Sequence, residues 1–359
     1  MSAGGRGGGR APGILDLPAG QPLRYDALIG TGGIGSGSFF LLEGDHSLGR
    51  EESRSGRFLD RRDYCKLHIV CHYVKALLGG RAEVMPIGRV GGDPAGRELL
   101  REMGEAGLDL RYVAALPDRP TLFSFCFLYP DGAGGNLTTA DSASAAVEEA
   151  AVQAAAPDFA ARRGRGIAVA EPEVPLAARR RLLELAGEHG FLRAASFTRG
   201  EMPAVRAEGL LRHVDLLGVN LEEALAAAGI PRPLPADASG RGELAGAAID
   251  ALASGHPAMR ISITAGAAGS WSWDGAALHH CPALPVRVAS TGGAGDAHFA
   301  GILSGLAAGL PLPSAQELGT LLAAASVTSP HTIHKGITRD MLRKLAGRER
   351  LKFSDLALE

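Results

Sequence analysis

The chain of 359 residues lacks several things, and each lack narrows its class. It has no apolar run long enough to span a bilayer, which argues against a helical membrane protein. It has no excess of either charge: 37 Lys and Arg stand against 39 Asp and Glu, a net charge of −2, so no global field favours nucleic acid or an anionic membrane. It has only four cysteines, Cys65, Cys71, Cys126 and Cys281, with no C-x-x-C pair. That excludes a disulfide framework and predicts reduced, buried thiols in a cytoplasmic protein. His279-His280-Cys281 does not change this, because neighbours on a strand point to opposite faces and no second ligand pair has zinc spacing. Aromatic residues make up only 5% of the chain, and no Tyr or Trp pattern marks a binding platform.

What is present is an alternation of short apolar runs and amphipathic stretches. Residues 1–23 read as a flexible Gly/Arg-rich tail without the apolar core of a secretory signal. Strands are expected at 27–30, 38–42, 83–88, 121–129, 167–170, 193–197, 216–219 and 261–264. Helices are expected at 64–78, from Asp93-Pro94 to about 104–107, and at 176–189, 221–228, 244–254, 297–309, 314–328 and 338–345. Residues 43–62 read as loop or edge structure, 230–242 as a surface loop, Asp131-Gly132 as a turn, and 347–359 as a C-terminal extension. Strand–helix alternation predicts a mostly parallel sheet covered on both faces. The runs near 31–60 and 117–142 break the alternation and suggest a small sheet set apart from the main body.

Two glycine-rich runs invite a phosphate reading. Gly30-Thr31-Gly32-Gly33-Ile34-Gly35 satisfies G-x-G-x-x-G after a strand, but a strand-like run follows where a dinucleotide fold needs a helix. Gly32 and Gly33 are therefore expected to form a bend near a ligand. The second run, Ser290 to Gly301, is a small-residue loop entering a long apolar helix. Backbone N–H groups in such a loop can approach phosphate oxygens, and the helix N-terminus adds positive potential. Asp296 there is placed to accept a proton from a hydroxyl, although taken alone it could be a plain first-turn residue.

Residues 290–303, Ser-Thr-Gly-Gly-Ala-Gly-Asp-Ala-His-Phe-Ala-Gly-Ile-Leu, resemble the C-terminal signature of the ribokinase-like (PfkB) carbohydrate kinases. Gly88 to Gly96 is similar to that family's G-x-V-G-x-D-x-x-G segment, Asn220-Leu221-Glu222-Glu223 to its N-x-x-E motif, and Thr264 to Gly269 to its T-x-G-x-x-G loop. The resemblance covers residues 24–346. It implies a three-layer α/β/α domain with a β lid from about 31–60 and 117–142, and a homodimer formed through that lid.

For the site, the resemblance implies that Asp296 is the general base and that Gly293, Ala294 and Gly295 form an anion hole. It implies that Asn220, Glu223, Thr264, Gly266, Gly269 and Thr291 serve the nucleotide, ATP, with Glu223 acting on Mg2+ through water. Asn220 and Glu223 also have the spacing of a helix capping box. The sequence departs from the family where a sugar-binding G-G-x-x-x-N is usual: Cys65, Lys66 and Val70 stand at those places. Arg61, Arg62 and Lys66 would suit an anionic acceptor, or could be a solvated charged run. Ser290 stands where many relatives have Asp, which puts K+ activation in doubt.

The expected activity is thus transfer of the γ-phosphate of ATP to a hydroxyl of a sugar or sugar derivative. Two alternatives stay open. One is a nucleoside kinase of the same fold with Phe39, Phe40 and Phe123 as candidates for a base slot. The other is a catalytically weak metabolite-binding sensor.

Overall fold

Leu28 and Ile29 face opposite sides of one strand, and each is buried in a different apolar cluster. The same split recurs at Ile167 and Ala168. Strands buried on both faces are the mark of a sheet sandwiched by helices. The computed structural model, which describes residues 13–15, 17, 22–131 and 134–348, shows this arrangement. Its main sheet has nine strands in the order β13-β12-β11-β10-β9-β8-β1-β4-β5. These are β1 (Ala27–Thr31), β4 (Glu83–Gly91), β5 (Tyr112–Leu116), β8 (Gly166–Ala170), β9 (Leu192–Ala195), β10 (Leu216–Asn220), β11 (Arg260–Thr264), β12 (Ser270–Trp273) and β13 (Leu278–Cys281). All neighbours pair in parallel except β12 and β13, which close one edge as an antiparallel hairpin.

One helical layer contains α1 (Lys66–Leu78), α2 (Pro94–Glu105), α9 (Ala294–Ala307), α10 (Leu312–Ser326) and α11 (Arg339–Arg348). The other contains α3 (Glu149–Gln153), α4 (Ala156–Ala161), α5 (Leu176–Glu188), α6 (Met202–Ala207), α7 (Leu221–Ala228) and α8 (Ala238–Gly255).

A second sheet stands apart, in the order β3-β2-β6-β7, with β2 (Gly35–Leu42), β3 (Gly56–Tyr64), β6 (Leu122–Leu128) and β7 (Gly134–Thr138). Its two central strands run parallel and its edges antiparallel. Asp93 ties this lid to the body. It caps α2 by accepting from Gly96 N at 2.8 Å, and also accepts from Thr121 N at 2.8 Å and Thr121 Oγ1 at 2.6 Å, just before β6. A helix cap alone is worth about 1 kcal/mol. One carboxylate here therefore fixes both a helix start and the base of the lid. The lid's outer face carries Phe40, Phe58 and Phe125 in mutual ring contact at 5.1–6.3 Å, with Phe58 and Leu137 exposed.

Several boundaries differ from those read in the sequence. The segment 43–62, expected as loop or edge structure, leads into a nine-residue edge strand, β3, that runs on to Tyr64. Helix α8 begins at Ala238, within the expected loop 230–242, capped by Asp237 accepting from Gly240 N at 2.7 Å. Helix α9 begins at Ala294, three residues before the expected start, so Asp296 lies inside its first turn. Strands β5, β12 and β13 lie outside the expected set, each being only four or five residues long. Most of the N-terminal tail, Gly132, and residues 349–359 lie outside the described residues. Among the described residues no helix is long and apolar enough to cross a membrane, and all four cysteines are buried and unpaired.

Candidate active site

The C-terminal ends of β8, β9, β10 and β11 and the N-termini of α1 and α9 converge on one cleft. Parallel sheets commonly bind ligands at such strand ends. The cleft encloses a cavity of about 760 Å³ that Lys66, Asn220, Glu223, Thr264, Gly266, Gly269, Thr291, Gly293, Ala294, Gly295 and Asp296 all help to line.

At its phosphate end, Gly293 is the N-cap of α9 with φ +75°, and a Cβ there would lie 2.7 Å from Thr332 O. Only glycine fits both the left-handed backbone and the close approach. Gly295 has open space where a Cβ would sit, so its side of the turn is free for a ligand. The first N–H groups of a helix have no intrahelical acceptor; Ala294 N bonds back to Thr291 O at 3.3 Å, which leaves Gly295 N and Asp296 N as the donors of this turn. Asp296 is the third residue of the helix, does not serve as its cap, and is only 16% exposed at the side chain. Lys66 Nζ stands 3.4 Å from Asp296 Oδ1.

Asn220 ends β10 and begins α7. Its Oδ1 accepts from Glu223 N at 2.9 Å, while Glu223 Oε2 accepts from Asn220 N at 2.9 Å. The capping box anticipated from the spacing is thus formed. Burial pushes the Glu223 carboxyl above its ordinary value, with Lys66 opposing. Thr264 ends β11, and the turn after it contains Gly266 and Gly269, where a Cβ on Gly269 would meet Cys281 O at 2.4 Å. Leu284, Val286 and Val288 on one side, with Ala323, Ala324 and Val327 on the other, give this part of the cavity an apolar wall.

Further carboxyl groups stand near Lys66, although they are not among the residues that line this cavity. Glu171 and Glu173 follow β8 directly. Glu171 is fully buried, accepts a hydrogen bond from Ser196 Oγ through Oε2, and leaves Oε1 without a partner. Burial, reinforced by Asp296, raises its carboxyl to about 8. Burial likewise raises Glu173 to about 7, with Lys66 opposing. Glu173 has φ +75°, a left-handed conformation unusual for a side-chain-bearing residue. That conformation brings its Oε2 to Lys66 N at 3.4 Å. Asp63, on the inner face of β3, accepts weakly from Cys126 Sγ at 3.5 Å, and burial raises its carboxyl.

Gly32 and Gly33 make room for these acids. A Cβ on Gly32 would lie 2.5 Å from Glu171 Cβ, and one on Gly33 2.2 Å from Glu173 Oε2. Gly33 N is already bonded to Pro172 O at 2.9 Å.

The cationic residues of the expected acceptor end do not act together. Arg62 lies on the other face of β3 from Asp63, pairs with Glu102 at 2.5 Å and stacks over Tyr64 at 5.0 Å. Arg61 alternates to Asp63's face and makes no hydrogen bond or ion pair among the described residues. Only Lys66 reaches Asp296. The three phenylalanines considered for a base slot are also separated. Phe39 packs toward Gly292 on the inner face, while Phe40 and Phe123 alternate to the outer face. Glu171, Glu173 and Asp63 were not singled out from the sequence. An acidic pair directly after the apolar run of β8, at the C-terminal end of a parallel strand, was the available signal.

A sequence model of the pfkB family carbohydrate kinases matches residues 70–339. The fructoselysine 6-kinase of Shigella flexneri is 43% identical over 67 residues, 19% of this chain and 26% of that protein, so the match spans about a quarter of that relative. Among solved structures, the nucleoside kinase of Burkholderia thailandensis in complex with inosine superposes with a TM-score of 0.71 at 18% identity, covering 90% of this chain and 97% of that one. The ribokinase of Cryptococcus neoformans in complex with ADP does so with a TM-score of 0.66 at 19% identity, covering 91% and 100%. At such identities these two establish the fold.

Proposed function

This chain belongs to the pfkB family of carbohydrate kinases, and from that premise we propose that it transfers the γ-phosphate of ATP to a hydroxyl of a sugar or sugar derivative. The observation that carries the reading is Asp296 in the first turn of α9, beside an open glycine turn and facing a 760 Å³ cavity. Asp296 takes the acceptor proton, and the Gly293–Gly295 turn receives the charge of the transferring group. Gly266, Gly269 and the apolar wall hold the nucleotide. Glu223 is the carboxylate suited to Mg2+, and with one of its oxygens already on Asn220 N it fits an ion held chiefly by water and phosphates. Such an ion would neutralise phosphate charge.

Around the acceptor end stand three buried or half-buried carboxyl groups; among the described residues Lys66 alone pairs with Asp296, while Arg61 shares the face of Asp63. We take this to favour a hydroxyl-rich acceptor, neutral or amine-bearing: carboxyl groups at about 7 and about 8 are partly protonated near neutral pH and can both donate hydrogen bonds to hydroxyls and accept them. The relative named for fructoselysine, an amine-bearing sugar derivative, agrees with this direction.

We assign the chain to the cytoplasm, consistent with its unpaired thiols. We also expect it to pair through the exposed aromatic face of the lid, an association that sedimentation equilibrium would detect.

The test is ADP release by the purified protein with matched sugars, amino sugars, sugar phosphates and nucleosides. Turnover of a neutral or amino sugar supports the reading. Preference for nucleosides would move it to the nucleoside alternative, and nucleotide binding with no turnover of any acceptor to the sensor alternative.

A further inference from the structure

Lysine is an unfavourable choice for the first residue of a helix, because the positive end of the helix dipole repels it. Lys66 occupies that position in α1, whose first turn contains no acidic residue to compensate. A second local rule is broken close by. Glu173 is the one described non-glycine residue with positive φ, and its carboxylate reaches back to Lys66 N. Sparsely populated backbone conformations and unfavourable local choices tend to persist where a site demands them. Both irregularities meet at one point, Lys66, that of Glu173 at its backbone N–H.

Its surroundings show what that point is for. The ammonium stands 3.4 Å from Asp296 Oδ1, with its side chain 32% exposed and lining the cavity. Asp296, Glu223, Glu173 and Glu171 all act on it and hold it charged, Asp296 most strongly. It therefore lies between the acceptor carboxyls, the Glu223 cap and the open turn of α9. Where phosphate passes from nucleotide to acceptor, the transferring group must cross this region. Arg62, the next cation along the chain, is turned away to Glu102.

Resting on the phosphotransfer reading above, we propose that Lys66 is a catalytic residue that binds a non-bridging oxygen of the transferring phosphoryl group, releasing Asp296 as the group arrives. Without nucleotide, Lys66 pairs with Asp296 and neutralises it. When the γ-phosphate enters, the ammonium moves onto a phosphoryl oxygen and frees Asp296 Oδ1 for the acceptor hydroxyl. The acceptor O–P bond forms, the bond between the γ-phosphorus and the β–γ bridging oxygen breaks, and that oxygen leaves with ADP. The hydroxyl proton goes to Asp296, while Lys66 keeps its own proton throughout. This role differs from anchoring an anionic acceptor, because the oxygen it holds belongs to the donor.

The experiment compares wild type with Lys66→Met, which keeps the stem and removes the charge, and with Lys66→Arg. Binding of ADP and of ADP with Mg2+ and aluminium fluoride, a mimic of the transferring phosphoryl group, is measured by calorimetry without acceptor, so that water fills the attacking position. Removing one preorganised donor to a transition-state oxygen costs about 10²–10³-fold. Lys66→Met should therefore weaken the aluminium fluoride complex by about that factor while leaving ADP affinity within about threefold, and Lys66→Arg should recover part of the loss. Equal effects on ADP and on its fluoride complex, or no effect on either, would overturn the proposal. A loss confined to the KM of the acceptor would do the same by making Lys66 an acceptor anchor. If Lys66→Met does not fold, the same ratio is read from Lys66→Gln. Failure of wild type to bind any nucleotide would instead remove the phosphotransfer reading itself.

Discussion

The two ends of the cleft are built on different principles. The phosphate end is made of local structure: a glycine turn, a helix N-terminus and the Asn220–Glu223 capping box, with Asp296 as the main functional side chain. The acceptor end is made of side chains drawn from separate elements, Asp63 from β3, Glu171 and Glu173 after β8, and Lys66 from α1. Backbone machinery needs particular small residues at fixed spacing, so it leaves a continuous motif in the sequence. Side-chain machinery can be assembled from any elements that meet, and it leaves scattered single residues.

The sharpest break of this comparison comes from removing one group at each end. Asp296→Asn is expected to lower kcat by about 10²–10⁴-fold, the usual worth of a general base. ADP affinity should stay near that of wild type, since the turn that holds phosphate is backbone. Retention of wild-type turnover would take the base role from Asp296. At the other end, Glu171→Gln should mainly raise the KM of the acceptor, by about 2–10-fold, the net worth of one hydrogen bond. Steady-state kinetics with acceptor and ATP varied separately would check both. An equal rise in the KM for ATP would show that the two ends are not independent.

How much was legible follows the same division. The motif around Asp296, the Asn220–Glu223 spacing and the Thr264–Gly269 loop are all visible, because each lies within one short continuous segment. The alternating core also fixed the parallel sheet. At the acceptor end the sequence leaves two readings of Arg61, Arg62 and Lys66 open, a site for an anionic acceptor or a solvated charged run. Arg61, Arg62 and Lys66 read as one cationic group because they are neighbours in sequence. Strand alternation sends Arg62 to the outer face and on to Glu102, and leaves Lys66 in the helix that follows. Glu171 and Glu173 were passed over because an acidic pair after a strand is a common loop composition. Their buried state comes from Gly32 and Gly33 closing over them, a contact between segments about 140 residues apart.

A smaller, distributed effect should appear in stability. Glu171, at about 8, and Glu173, at about 7, both lie above the ordinary glutamate value of 4.5 because burial disfavours their charged forms. Between pH about 4.5 and about 8 the folded protein then binds more protons than the unfolded chain, so stability falls as pH rises through that window. The melting temperature of the ligand-free protein should decline across it, and Glu171→Gln should flatten the decline. A melting temperature that rose over this range in wild type would contradict buried carboxyls at the acceptor end. No comparable decline is expected from the backbone groups of the phosphate end.

The smallest effect tests whether the phosphate end is as purely structural as its geometry allows. Asn220 forms a complete capping box with Glu223, and that alone explains both residues. Serine caps helices about as well as asparagine, and replacing a cap by alanine costs about 1 kcal/mol. Asn220→Ser should therefore hold stability near wild type, while Asn220→Ala should lower it by about that amount. If Asn220 also serves the nucleotide, as the family resemblance implies, both variants should raise the KM for ATP severalfold, because both lose the amide. If only Asn220→Ala changes anything, the amide has no role beyond the cap, and phosphate recognition at this end reduces to the Gly293–Gly295 turn and whatever Lys66 adds to it. Chemical denaturation and ATP-dependent kinetics on the two variants separate these outcomes, because the serine keeps the helix start and removes only the group that could reach a ligand.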